Sequence, residues 1–128
     1  MAENQKFFIC KHCGNLVGMV LNHNVPLSCC GEQMTELVPN TVEASAEKHL
    51  PQVVVDGDTI TVSVGSVLHP MLEEHHIQFV YIETENGGQR KSLKIGEDPI
   101  VKFSLVDDKL IAVYEYCNLH GLWKTEVE

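Results

Sequence analysis

Metal and redox chemistry in this chain of 128 residues falls to five cysteines and seven histidines, which are unevenly spread. Cys10, Cys13, Cys29 and Cys30 lie within the first thirty positions, whereas Cys117 stands alone in "YEYCNLHGLWK", three residues before His120. A Cys-x-x-Cys spacing around a turn aims two thiolates at one ion, and a second pair completes four sulfurs, a set suited to zinc or iron. Two disulfides are the other use of such a set. The start, "MAENQKFFICKHCG", has no apolar stretch before a cleavage site, so a reduced, cytoplasmic chain with metal-binding thiols is expected. Structural zinc stays open on spacing alone. The adjacency of Cys29 and Cys30 is unusual, because neighbouring side chains must splay to reach one metal.

Five histidines follow in the second region: His49, His69, His75, His76 and His120. Histidine is the commonest neutral metal ligand, and a thiol among several imidazoles favours a redox transition metal over magnesium or calcium. Their places are all element ends. "AEKHLPQVVV" puts His49 before a first strand, and "GSVLHPM" puts His69 after a second. "EEHHIQFVYI" puts His75 at the entrance to a third, and "VYEYCNLHG" puts Cys117 at the exit of the last. Ile111, Val113, Glu115 and Cys117 share one parity, so if Ile111 and Val113 face the core, Cys117 points inward. Glu115 reads either as a group that tunes the site or as a strand-end surface carboxylate. Tyr116 and Trp123 read as core packing, His12 and His23 as exposed surface residues.

These groups must be positioned by a chain of net charge −9 with 44% hydrophobic residues. That charge argues against nucleic acid, whose phosphates need a basic surface. An anionic substrate then needs its own local cation. The apolar runs are strand-sized, too short for a membrane-spanning helix. Residues 7–37 read as a knuckle too small to fold without a staple, with Leu16–Leu21 as its second strand and "VPNT", 38–41, as a linker. Beyond it, "VVVDGDTITVSV", "HIQFVYIETENGGQRKSLKI" and "IVKFSLVDDKLIAVYEYC" are three hairpin patterns. They turn at Asp56-Gly57, at Asn86-Gly87-Gly88 and at Asp107-Asp108, and together supply six strand-like runs. A small antiparallel β-sandwich is expected.

The vicinal-cysteine module resembles desulforedoxin, an iron-tetrathiolate protein. Together with "EKHLP", "HPMLEEHH" and "YCNLHGLWK", it makes essentially the whole chain similar to the desulfoferrodoxin family, the two-iron form of superoxide reductase. The resemblance implies a mainly β chain: a desulforedoxin-like metal knuckle over 1–37, then an immunoglobulin-like antiparallel β-sandwich over 38–128. It implies one iron on Cys10, Cys13, Cys29 and Cys30, and a second on the imidazoles of His49, His69, His75 and His120 with Cys117 as axial thiolate. His75 is preferred over its neighbour His76 by its spacing from His69. The implied reaction joins superoxide, one electron and two protons into hydrogen peroxide. Lys48 would attract superoxide and order a proton-donating water, and Glu47 would bind the sixth position of the oxidised iron. Backbone N–H groups of Asn118, Leu119 and His120 would hydrogen-bond the Cys117 sulfur. A homodimer, a cytoplasmic setting and an electron donor such as rubredoxin are also implied. A zinc-binding interaction module and a pure electron carrier are the competing readings.

Overall fold

The computed structural model describes residues 4–127. They are mainly β and divide into two compact units after Val38.

In the first unit, β1 (Phe7–Ile9) pairs antiparallel with β2 (Leu16–Gly18), placing Phe8 opposite Val17. The short hairpin β3 (Ser28–Cys29) and β4 (Glu32–Gln33) follows, and β5 (Thr35–Glu36) returns to the other edge of β1. Phe7, Cys10 and Met34 are buried. Gly14, at φ +84, closes the Cys-x-x-Cys turn and donates its N–H to the Cys10 carbonyl at 2.8 Å. Strand β2 ends at Gly18, not at Leu21 as expected. Its partner β1 begins at Phe7, so after the Met19 N–H reaches the Lys6 carbonyl at 3.0 Å the chain turns away. Val20 and Leu21 are exposed there.

The second unit opens with a single helical turn, α1 (Ala46–His49), followed by β6 (Pro51–Asp56) and β7 (Thr59–Val64). Then come β8 (Ile77–Thr84), β9 (Gly87–Ser92), β10 (Ile100–Ser104), β11 (Leu110–Cys117) and β12 (Gly121–Glu126). Two antiparallel sheets form, in the orders β10-β7-β6 and β12-β11-β8-β9. The alternation in "TITVSV" turns Ile60, Val62 and Val64 of the first sheet into the core. There they join a buried cluster with Val80, Ile82, Val113 and Cys117 of the second. Cys117 is thus core-facing, as its parity predicts.

Two details differ from the sequence reading. A seventh strand, β12, pairs with β11 from Cys117 opposite Gly121 to Ala112 opposite Glu126. Its mixed residues, "GLWKTE", hide the strand pattern, and Gly121 at φ +79 permits the tight reversal over residues 118–120. The segment 38–41 is also no loose linker throughout. Asn40 donates its backbone N–H to the Leu122 carbonyl at 3.1 Å. Its carboxamide accepts from the Lys124 N–H at 2.9 Å and donates to the Lys124 carbonyl at 3.1 Å.

Near the end of β11 the register slips. Tyr116 faces Phe79 but Cys117 faces Ile77, leaving Gln78 as an extra residue in β8. Such a bulge bends its strand and re-aims the neighbouring side chains. Among the described residues, no helix is long and apolar enough to cross a membrane.

Candidate metal centres

The larger group of donor atoms lies at one end of the sandwich, where β6 and β8 begin and β11 ends. His49 closes α1, His69 follows the β7 exit, His75 precedes β8, Cys117 ends β11 and His120 sits in the reversal before β12. One donor atom from each lies within 4.8 Å of all the others. The four rings form a closed cycle, with centroids 4.6 Å apart for His49 and His69, 4.5 Å for His69 and His75, 5.1 Å for His75 and His120, and 4.9 Å for His120 and His49. The diagonal from His49 to His75 is longer, at 6.4 Å. Each ring stands edge-on to its neighbours, and the Cys117 sulfur lies 3.5 Å from His69 Nε2 and 4.0 Å from His120 Nδ1. His76 is outside this group, with its ring Nδ1 2.9 Å from the Leu72 carbonyl.

Hydrogen bonding assigns the lone pairs. His49 Nδ1 lies 2.7 Å from the Ser45 carbonyl and His69 Nδ1 2.7 Å from that of Pro70, so both Nδ1 atoms carry the proton. Each Nε2 is then a bare acceptor, and the two face each other at 3.1 Å. His120 Nδ1 is a further 3.1 Å from His49 Nε2. His75 Nε2 is buried without a hydrogen-bond partner. Converging lone pairs repel unless a cation lies among them, so the donor set fits a transition metal. Burial lowers the pKa of His49 and His75, and brings His69 down to about 4, so the rings are neutral and ready to ligate. Burial pushes the Cys117 thiol up, and backbone N–H groups of Leu119 and His120 pull it back. The expected third N–H does not join them, because Asn118 donates to the His76 carbonyl at 3.2 Å.

The surroundings hold this set in place. Trp123 stacks on His49 at 5.0 Å and donates its indole N–H to the His120 carbonyl at 3.1 Å, so it supports the centre as well as packing the core. Gly65, at φ +85, lies against α1: a Cβ there would collide with the Val67 carbonyl and come within 2.7 and 2.8 Å of those of Lys48 and Glu47. Glu47 and Lys48 are exposed on α1. The Lys48 charge contributes to lowering both His49 and His75. Glu115 is not a surface carboxylate. It is fully buried, both oxygens lack hydrogen-bond partners, and burial raises its pKa strongly. Strand parity pointed Glu115 inward, and that signal was available beside the expectation of a surface position.

In the first unit, Cys10, Cys13, Cys29 and Cys30 bring one sulfur each within 4.8 Å of the others. Cys13 and Cys29 sulfurs are 3.7 Å apart, those of Cys29 and Cys30 4.0 Å. The vicinal pair splays because Cys30 takes the left-handed conformation, φ +53, with Gly31 continuing at φ +76. The Asn15 backbone N–H donates to the Cys13 sulfur at 3.4 Å. Cys10, which accepts from the Cys13 N–H, is lowered to about 6, whereas contacts with the sulfurs of Cys13, Cys10 and Cys29 push Cys30 up to about 12. Four clustered thiols with no disulfide among them suit a tetrathiolate ion. His12 and His23 remain exposed, His12 pairing with Glu32 at 3.0 Å.

Comparison with known proteins is consistent with this geometry. Residues 41–126 match the family model described as Desulfoferrodoxin. The chain is 43% identical over 126 residues to a desulfoferrodoxin of Syntrophotalea carbinolica, covering 98% of this chain and 99% of that one. It is 38% identical over 126 residues to a desulfoferrodoxin of Nitratidesulfovibrio vulgaris, with the same coverage. Among solved structures, the superoxide reductase from Treponema pallidum superposes with a TM-score of 0.82 at 38% identity, over 97% of this chain and 100% of that one.

Proposed function

The chain belongs to the desulfoferrodoxin family, and from that premise we propose that it is a superoxide reductase with two irons per chain. The observation that carries this is the cycle of four edge-on imidazoles with a buried cysteine sulfur against it, all donors within 4.8 Å. His49, His69, His75, His120 and Cys117 would hold the second iron. Cys10, Cys13, Cys29 and Cys30 of the knuckle, residues 1–37, hold the first, while residues 38–128 form the catalytic domain. When bound, the second iron supplies the electron and the coordination position at which superoxide becomes hydrogen peroxide.

The chain's own groups set the conditions for that step. Ser45 and Pro70 carbonyls hold the Nδ1 protons of His49 and His69, keeping both Nε2 lone pairs aimed inward. Leu119 and His120 N–H groups favour the anionic form of Cys117. Lys48 Nζ attracts superoxide against the net charge of −9 and orders the water that donates a proton. Its electrostatic effect on His49 and His75 supports that role. Glu47, adjacent on the same helical turn, would offer that iron a carboxylate oxygen.

Electrons come from a small carrier such as rubredoxin, since each superoxide consumes one that the polypeptide cannot supply. The chain acts as a homodimer in the cytoplasm, a reading supported by reduced cysteines and a very small first unit. The test is iron per chain together with superoxide consumption under a reductant. Two irons, with peroxide formed and no dioxygen released, are expected. One zinc and no superoxide consumption would return the chain to a metal-stapled interaction module.

A further inference from the structure

We infer that Asn118 is a positioning residue, whose carboxamide locks the segment carrying His75 onto the turn carrying Cys117. The inference rests on reading the His–Cys cluster as an iron centre. His49 and His69 have their rings oriented through Nδ1–H bonds to nearby carbonyls. Among the described residues the His75 ring has no Nδ1–carbonyl bond of the kind that aims His49 and His69, and its Nε2 is buried without a partner, so its placement depends on the backbone that carries it. The backbone on both sides of it is gripped by one side chain. Asn118 Oδ1 accepts the His76 N–H at 2.9 Å, and Asn118 Nδ2 donates to the Glu74 carbonyl at 3.1 Å. The Asn118 N–H adds a third bond, to the His76 carbonyl at 3.2 Å.

These three bonds straddle His75 and cross between segments 42 to 44 positions apart in sequence. Asn118 directly follows Cys117, so the clamp ties the placement of the His75 ring to that of the Cys117 sulfur. Local bonds complete the segment: the Leu72 N–H donates to the His75 carbonyl at 2.9 Å, and the His75 N–H returns to Leu72 at 3.2 Å. A carboxamide offers an acceptor to one peptide and a donor to another from a single planar group. Leucine keeps the branched shape, though it is larger, and makes neither bond; aspartate keeps the acceptor and loses the donor.

The experiment uses the full iron-loaded chain and the variants Asn118→Leu and Asn118→Asp. Iron release from the second centre to a chelator is timed, with absorption of the four-cysteine iron as internal control. Partners that orient metal ligands typically change metal affinity by ~10–100-fold. We expect release on that order faster for Asn118→Leu, and intermediate for Asn118→Asp. Hyperfine-shifted imidazole resonances of the reduced protein provide a second readout, in which the His75 set moves and the other three hold. Release within twofold of the parent, or equal displacement of all four ring sets, overturns the inference. Should Asn118→Leu fail to fold, Asn118→Asp carries both readouts. A parent chain whose iron shifts no imidazole resonance overturns the metal reading itself, which is a separate result.

Discussion

His49 and His69 present unprotonated Nε2 atoms to each other at 3.1 Å, each with its proton held on the far side by a backbone carbonyl. The contact is repulsive between neutral rings and becomes favourable with a cation among them. Fold and metal are therefore linked thermodynamically, and binding to the folded state adds stability by mass action.

Stripping the second centre should lower the unfolding midpoint, and zinc should restore it. Free metal at a hundredfold excess over its Kd stabilises by about 2.7 kcal/mol. Zinc has no accessible second oxidation state, so the refilled chain is expected to be stable and inactive with superoxide. Scanning calorimetry beside a superoxide assay checks both halves; a zinc-loaded chain that consumes superoxide contradicts the redox role.

Replacing Lys48 with Ile removes a cation while leaving the five ligands untouched. Focusing of this kind raises association rates by ~10–10³-fold. Superoxide capture should slow by about tenfold and lose much of its ionic-strength dependence, with both irons retained. Pulse radiolysis at several salt concentrations decides the matter, and unchanged kinetics removes Lys48 from the mechanism.

Acid stability follows from His69, whose pKa falls from 6.5 to about 4 on burial. The unfolded chain then binds the proton more readily than the folded one. Stability of the metal-free protein is complete above about pH 6.5 and is lost progressively as pH falls toward about 4. His49 and His75 shift in the same direction and deepen the loss. Urea unfolding of the stripped chain across that window measures it; a flat midpoint would contradict the assigned burial.

Gly65→Ala should damage the second centre without touching a ligand. The added methyl meets the carbonyls of Val67, Lys48 and Glu47 at a backbone conformation that suits glycine alone. Strain at such positions costs on the order of 1–3 kcal/mol. Relief requires α1 to move, carrying His49 and Lys48 with it. Lower thermal stability and a selective deficit of the second iron are expected, read by calorimetry and by iron per chain.

The ligands were legible because their residue types are rare and their order distinctive: vicinal cysteines, histidines at element ends, and a cysteine whose parity turned it inward. Hairpin glycines and β-branched runs made most of the sandwich legible too. What escaped depends on contacts between distant segments. Strand β12 lacks a clean alternation and exists because β11 pairs with it along its length. Gly65 looks like any turn glycine until α1 is seen against it. From the sequence Asn118 is expected to act only through its backbone N–H, and its carboxamide escaped because its partners at 74 and 76 lie on another loop. Glu115 breaks the rule that lone carboxylates stay in water.

The attachment of Asn40 to β12 governs where the chain can be cut. β12 is the outermost strand of its sheet, and outermost strands offer unpaired peptide groups to other chains. Asn40 occupies those of Leu122 and Lys124 with its own backbone and carboxamide. A catalytic fragment trimmed to begin at Thr41 would bare that rim to self-association, whereas one beginning at Pro39 would keep its guard.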